Sequence, residues 1–413
     1  MEKSRFRLGT YENGILLMMF FTFGFVFMDR LSITFLFPFI QPALHLTDVE
    51  IGMLASILSV CWALSGYFFS SVADFVDSRK KVLLPVTFAF SIFSFLSGIA
   101  RSFMMLFVAR GLMGMSEGPT LPLAQSTAAI ESSPGRKGFN SGFVQSSSQL
   151  IGATFTPLIV TAIATSFGWH AAFYVVGIPG LIMTFVLMKF MKDRKVSDSS
   201  LVKAKAAKRI SWSEYAEVFK KRNVWLCVII SACFMTWLFA YTTFAPTYLV
   251  DKGYTPGQMS LIMAGLGLGS FIWTVAVPTI SERWGRKPAL IVFAFMAILS
   301  PVIFALFHLP VWMMFLIALL VTTGNGLFPM FMVVIPGESV RPEVVTTAIA
   351  LTQLVGELVG GTLMPTVAGA AAGAYGMSAP LWIAAAGALV AAMVGFGLKE
   401  TAPAKVGAKV NAA

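Results

Sequence analysis

The chain has 413 residues, 57% of them hydrophobic and 12% charged, with a mean hydropathy of +0.80. A soluble domain carries about 25% charged residues, so this composition excludes a water-soluble globular protein and describes a chain dissolved in lipid. The formal charge of +11 takes its meaning from where the basic residues fall.

Twelve apolar runs follow one another, near residues 14–36, 50–72, 82–100, 102–125, 139–166, 171–190, 224–250, 258–281, 288–307, 311–334, 344–370 and 378–398. Each is long enough to cross a bilayer as a helix. Backbone in hydrocarbon must be helical or form a closed barrel, and runs of this length predict helices. The expected fold class is an all-α membrane protein with twelve transmembrane helices. The first run is too long for a signal peptide and contains Asp29 and Arg30, so it is expected to be retained. Cys61, Cys227 and Cys233 all fall inside predicted helices and imply no disulfide framework.

Of the 30 Lys and Arg residues, 26 lie in alternate connections: the N-terminus, residues 79–81, Arg136 and Lys137, the 189–222 loop, residues 283–287, Arg341 and the C-terminus. The intervening connections hold Arg101 and Lys252, and Arg30 and Arg110 sit within helices. Positive charge marks the cytoplasmic side. The pattern predicts a multi-pass inner-membrane protein with both termini cytoplasmic, whose basic excess is topology and not a nucleic-acid footprint; a monomer is expected.

A polar stretch separates two sets of six runs. The expected organisation is a six-helix bundle over 1–190, a cytoplasmic linker over 191–223, a second bundle over 224–400 and a tail over 401–413. An amphipathic helix is expected within the linker near residues 212–219. The halves resemble each other: "SSVADFVDSRKKVL" after the second run and "PTISERWGRKPAL" after the eighth place Asp74 and Glu282 208 residues apart. Internal repeats of this kind build secondary transporters, with the substrate site at the repeat interface near the midplane.

These connections resemble the cytoplasmic loop signature of the major facilitator superfamily, Gly-x-Leu-Ala-Asp-Arg-x-Gly-Arg-Lys. The first copy has Ser70, Phe75 and Asp77 where Gly, Arg and Gly are expected, and the second keeps Arg283, Gly285, Arg286 and Lys287. The resemblance implies a conformational latch made by Asp74 and Arg79 in one half and Glu282, Arg283 and Arg286 in the other. "RGLMGMSEGPTLP" (110–122), "FGWHAAFYVVGIPGLI" (167–182) and "FAPTYL" (244–249) look like the anion:cation symporter branch. That branch includes bacterial sugar-acid transporters and vesicular glutamate and sialic acid carriers.

Five ionisable residues fall inside predicted helices: Asp29, Arg30, Arg110, Glu117 and Glu357. An Asp, Lys or Arg at mid-helix costs about 2.5–3.5 kcal/mol on insertion scales, so these residues are expected to face a polar cavity or one another. Structural ion pairs are the alternative. Adjacent residues on a helix diverge by about 100°, so Asp29 is not Arg30's natural partner. Both lie some 10–12 Å deep in the first helix, the depth expected for Arg110 in the fourth, with Glu117 about 10 Å further in. Asp29 is therefore expected to pair with Arg110, leaving Arg30 for an anionic substrate. Arginine holds a carboxylate through two parallel hydrogen bonds, and a carboxyl in a poorly hydrated cavity can carry a proton. Asp29, Glu117 and Arg110 are thus the expected proton-coupling set, and the resemblance implies the same roles for Asp29, Glu117 and Arg30.

Further substrate-binding candidates are Gln145 and Gln149 in the fifth helix and Asn325 in the tenth, whose amides both donate and accept. Trp62, Trp237 and Tyr241 fall where relatives line the cavity. For each of these, helix packing is the alternative. Glu357 is expected to be a third proton site or to read an amine or hydroxyl, the alternative being an acid bonded within its own helix.

"GMSEG" (114–118) matches the hydrolase pattern Gly-x-Ser-x-Gly, but it lies inside a membrane helix without a nearby histidine base. No phosphate loop and no metal-ligand spacing occurs, so neither ATP nor another cofactor is expected. The sequence points to proton-coupled uptake of a small organic anion by alternating access. A drug or metabolite exporter is disfavoured because the fifth helix reads "SQLIGATFTP" in place of the exporter pattern Gly-x3-Gly-Pro-x-x-Gly-Gly. A sensor would add a soluble signalling domain, for which the tails are too short. Anion exchange or facilitation on the same scaffold is the remaining alternative.

Overall fold

The computed structural model describes residues 11–76, 78–133, 136–193, 218, 220–341, 344–402 and 405. Residues 212–217 and 219, most of the expected amphipathic linker helix, lie outside the described residues. Among the described residues the structure is helical and contains no strands.

The first half contains α1 (Tyr11–Leu44), α2 (Asp48–Phe75), α3 (Arg79–Gly98), α4 (Phe103–Glu117), α5 (Thr120–Glu131), α6 (Lys137–Ser147), a π-helical segment (Ser148–Phe155), α7 (Thr156–Phe167) and α8 (Trp169–Phe190). The second contains α9 (Arg222–Asp251), α10 (Pro256–Trp284), α11 (Arg286–Leu306), α12 (Val311–Val321), α13 (Gly324–Pro329) and a π-helical segment (Met330–Val334). After these come α14 (Ile335–Glu338), α15 (Val345–Gly356), a third π-helical segment (Glu357–Leu363), α16 (Met364–Tyr375) and α17 (Ala379–Gly395). Among the described residues ten helical stretches are long and apolar enough to span a membrane, and Ala379–Gly395 is a shorter apolar helix. The twelfth span is the α4–α5 pair. It is broken at Gly118 and Pro119, where proline supplies no N–H to the helix ladder.

The surface is what a lipid solvent demands. Leu64, Phe185, Trp312 and Met393 are exposed, while serines and threonines such as Ser91, Ser94 and Thr161 are fully buried. Without a hydrophobic force between helices in lipid, close packing of small residues takes over. On α8, a Cβ at Gly180 would stand 2.2 Å from Ser91 Oγ of α3, and one at Gly177 would stand 3.1 Å from the Ser91 carbonyl. Likewise on α17, a Cβ at Gly387 would come 2.7 Å from the Cys233 carbonyl of α9.

The chain divides into two compact units, residues 1–39 with 60–208, and residues 40–59 with 209–413. In the first, α3 packs on α8; in the second, α11 packs on α17, its counterpart in the repeat. The first half of α2 belongs to the second unit. There a Cβ at Gly52 would stand 2.2 Å from the Pro365 carbonyl, and Ser56 and Thr366 share a hydrogen bond of 2.9 Å.

Candidate functional site

In the first unit the two neighbours on α1 point apart, as the helical twist requires. Asp29 is fully buried, and its Oδ1 accepts a 2.8 Å hydrogen bond from Ser94 of α3. The Ser94 hydroxyl also lies 3.0 Å from the Phe173 carbonyl of α8. One hydroxyl proton thus has two acceptors within reach. Arg30 is 8% exposed and turns toward α2, its guanidinium 4.8 Å from the Trp62 ring centroid and 5.6 Å from that of Phe27. Such stacking is worth about 0.5–2 kcal/mol, and it holds the fork in one plane.

Arg110 is buried on α4, and the expected ion pair with Asp29 is not formed. Its Nη2 donates to the Arg30 carbonyl at 2.8 Å and its Nη1 points at the Met113 sulfur at 2.8 Å. The physical reason is that Ser94 claims the Asp29 carboxylate from the α3 side, while Arg110 meets α1 at its backbone. Glu117, seven residues along α4, is fully buried. It remains within electrostatic reach of Asp29, Arg110 and Arg30, so the four charges act as one cluster. Gly118 lets α4 meet α2 here: a Cβ on it would stand 2.2 Å from the Trp62 carbonyl.

Asp29 Oδ2, Arg110 Nε and both carboxylate oxygens of Glu117 are buried without a hydrogen bond. Buried polar groups in folded proteins are paired in the large majority of cases, and an unmet one costs about 1–3 kcal/mol. A concentration of them in one cluster marks a site whose partners change.

Gln145 is exposed and its Oε1 accepts from Gln125 at 3.3 Å, while Gln149 is partly buried at the start of the first π-helical segment. That segment sits tightly on α1, since a Cβ at Gly152 would come 2.6 Å from Phe27 Cβ.

In the second unit, Trp237 and Tyr241 are fully buried on α9. The Trp237 indole donates to the Ala297 carbonyl at 3.1 Å, and the Tyr241 hydroxyl bonds Ser300 at 2.7 Å, both on α11. Asn325 is 6% exposed and donates to Ser270 Oγ of α10 at 2.7 Å. The polar atoms of all three thus join helices within the unit, the packing role that the sequence left open. Glu357 is partly exposed at the start of the third π-helical segment.

The latch residues fare differently. Asp74 lies on α2 with its side chain outside the described set, and Arg79 Nε donates to Ser126 at 2.8 Å. Glu282 and Arg283 are exposed. Arg286 is buried, and its partner is Glu338: Nη2 lies 2.9 Å from Glu338 Oε1 and Nη1 donates to Ser281 at 2.6 Å. Glu400 accepts from the backbone N–H groups of Arg286 and Lys287 at 2.7 and 3.2 Å, setting a carboxylate on the positive end of α11. In the first unit Asp193 accepts instead from the Ser78 hydroxyl at 2.5 Å, the same hydroxyl that caps α3 by accepting from Lys81 N–H. Glu338→Gln is expected to cost about 1 kcal/mol, because Glu338 itself is solvent-exposed while Arg286 is buried, and to lower the thermal-shift midpoint in detergent. The exposed Glu282→Gln should stay within about 0.5 kcal/mol.

Ser94, Glu338 and Glu400 escape sequence reasoning. The repeat itself carries a signal for the last two, because Glu338 and Glu400 lie 207 residues after Glu131 and Asp193. Ser94 has no such signal. Among the described residues no group of three His, Cys, Asp or Glu side chains is placed to hold a metal ion.

The long apolar helices are those of a multi-pass membrane protein. The family model of the Major Facilitator Superfamily matches residues 19–361, and the chain belongs to that superfamily. It is similar to the probable sulfoacetate transporter SauU of Cupriavidus necator, with 27% identity over 300 residues, 69% of this chain and 68% of the relative. It is also similar to the hexuronate transporter of Bacillus subtilis, 27% identical over 281 residues that cover 67% of this chain and 65% of the relative. The sialic acid transporter NanX of Escherichia coli is 26% identical over 274 residues, 65% of each chain. In fold the chain matches the nucleoside transporter NupG, with a TM-score of 0.76 at 17% identity over 93% of this chain and 100% of that one. An inward-facing bacterial homolog of the lysosomal transporter Spinster gives a TM-score of 0.76 at 17% identity, covering 94% and 98%.

Proposed function

We propose that the protein is a proton-coupled symporter that takes up a small organic anion, a sugar acid or related carboxylate or sulfonate, by alternating access. The observation that carries this reading is the buried cluster of Asp29, Arg30, Arg110 and Glu117, with its unbonded acid oxygens. Arg30, planar and permanently charged, binds the anion through its fork. Asp29 and Glu117 take up the protons. When Asp29 is ionised it accepts the Ser94 proton; when Asp29 is protonated it can donate to Ser94, which then turns its own proton to the Phe173 carbonyl. Protonation thereby changes the link between α1, α3 and α8. The names of the relatives, a probable sulfoacetate transporter, a hexuronate transporter and a sialic acid transporter, support an anionic substrate. The inner membrane, with both termini cytoplasmic, is the setting that the distribution of basic residues supports.

The test is uptake by proteoliposomes under an imposed pH gradient, acidic outside, over a panel of sugar acids, sulfonates and aromatic acids. Accumulation of one class against its own gradient, abolished by a protonophore, is the expected result. Uptake indifferent to the proton gradient but driven by internal anion would replace symport with exchange. Ser94→Ala is expected to reduce gradient-driven uptake about tenfold, the scale of a hydrogen bond to a charged group. Ser94→Thr, which keeps the hydroxyl, should retain most of it.

A further inference from the structure

After its last span each unit carries a polar strap that returns to the start of a helix. In the second unit the strap is Lys399-Glu400, and in the first it is Lys192-Asp193, 207 residues earlier. The helices they meet, α11 and α3, begin at Arg286 and Arg79, again 207 residues apart, with Lys287 and Lys80 next in line. Glu400 accepts from the backbone N–H groups of Arg286 and Lys287, so an internal carboxylate sits on the positive end of α11. Gly285 makes room for it: a Cβ there would stand 2.5 Å from Glu400 Oε2.

Two departures break the repeat together in the first unit. Ser78 stands where the second unit has Gly285, and Asp193, one methylene shorter, stands for Glu400. Asp193 bonds the Ser78 hydroxyl in place of the helix backbone. At the start of α3 there opens a cavity of about 310 Å³, its mouth included, lined by Arg79 and Lys80 of α3, Thr127 and Glu131 of α5, and Met191 and Lys192 beyond α8. Three cationic side chains against one carboxylate make it electropositive. Lys80 spends two of its three ammonium protons on the Met188 and Met191 carbonyls, at 2.8 and 2.5 Å, and one remains to donate. The Lys192 ammonium lies 4.7 Å from the Tyr11 ring centroid, at the edge of the protein. Thr127 is an independent sign of a ligand. It is only 5% exposed, and its hydroxyl is buried without a hydrogen bond, whereas buried polar groups in folded proteins are paired in the large majority of cases.

The surroundings of the cavity indicate where its anion comes from. α3 and α8 pack on each other, and Phe88 and Ile92 of the one and Phe185 and Met188 of the other are exposed, as side chains facing acyl chains are. Met188 also supplies one of the carbonyls that hold Lys80. Basic pockets between spans on the cytoplasmic side suit phospholipid headgroups. We propose that this cavity binds the phosphate group of an anionic phospholipid, whose acyl chains lie along the exposed apolar faces of α3 and α8. The phosphate does for α3 what Glu400 does for α11, placing negative charge at the helix start. It accepts charge-assisted hydrogen bonds from Lys80 and Lys192 and a further one from the Thr127 hydroxyl. The proposal uses the topology given by the basic residues and none of the substrate assignment.

The experiment follows the thermal-shift midpoint of the full chain in a zwitterionic detergent, titrated with phosphatidylglycerol, phosphatidylcholine or inorganic phosphate. Phosphatidylglycerol is expected to raise the midpoint saturably, at concentrations where phosphatidylcholine does little. Thr127→Val keeps the shape and removes the hydroxyl, and should weaken the apparent affinity about tenfold. Lys192→Gln should weaken it about fivefold. The double variant Ser78→Gly with Asp193→Glu installs the arrangement of the second unit. Its longer carboxylate supplies the negative charge itself, so most of the response to phosphatidylglycerol should disappear. Equal affinity in the wild type and all three variants overturns the proposal, as does an equal response to phosphatidylcholine. Inorganic phosphate that stabilises the protein as strongly as phosphatidylglycerol at equal concentration would assign the cavity to a soluble phosphate and overturn the lipid as its source.

Discussion

Glu117→Gln should abolish gradient-driven accumulation while leaving counterflow within a few-fold of the wild type. The amide has nearly the shape of the protonated acid and cannot release a proton, so it freezes one protonation state without opening a cavity. Glu117 is fully buried on α4, makes no hydrogen bond through either oxygen, and feels the charges of Asp29, Arg110 and Arg30. A residue holding helices together would spend those oxygens on neighbours, as Glu338 does on Arg286. At an inward gradient of one pH unit the proton activity ratio is tenfold, so accumulation should fall from about tenfold for each proton carried with the substrate to equality across the membrane. Equal loss of accumulation and counterflow would assign Glu117 a structural role. Asp29→Asn is expected to follow the same pattern, with a further loss in counterflow because the amide must compete for Ser94.

The second large effect is expected at Arg30. Arg30→Lys keeps the charge but loses the planar fork that binds a carboxylate bidentately, and it surrenders the stack over Trp62 at 4.8 Å. Hydrogen bonds to charged groups are worth about 1.5–3 kcal/mol, so anion affinity should fall roughly ten- to a hundredfold. Membrane insertion and the monodisperse elution of the purified protein should be unchanged, because Arg110 binds the Arg30 carbonyl and not its side chain. Isothermal titration of a sugar acid against both proteins reads the difference. Unchanged affinity would remove Arg30 from the substrate site. Trp62→Ala, which leaves the guanidinium in place but unstacked, should give a smaller loss of about two- to thirtyfold, in line with the cation–π range.

The class of protein was readable from composition and apolar runs, because lipid imposes a rule visible one residue at a time. Backbone in hydrocarbon must bond to itself, so apolar runs become helices, and any charge within them must serve a purpose. Asp29, Arg30, Arg110 and Glu117 were legible on that ground, and the divergence of Asp29 from Arg30 follows from the helical twist. The repeat was legible at Asp74 and Glu282, and its finer register at Asp193 and Glu400 needed the starts of α3 and α11 to give it meaning. The partners of these side chains came from helix packing. Depth along two helices allowed Asp29 to meet Arg110, but rotation of each helix about its own axis put Ser94 against the carboxylate and the Arg30 carbonyl against the guanidinium. The same freedom placed Trp237, Tyr241 and Asn325 against neighbouring helices and paired Arg286 with Glu338 instead of a residue of its own loop. Sequence spacing sets how far along a helix a side chain stands; which neighbour it touches depends on helix rotation and packing, and these are settled by contacts between residues far apart in the chain.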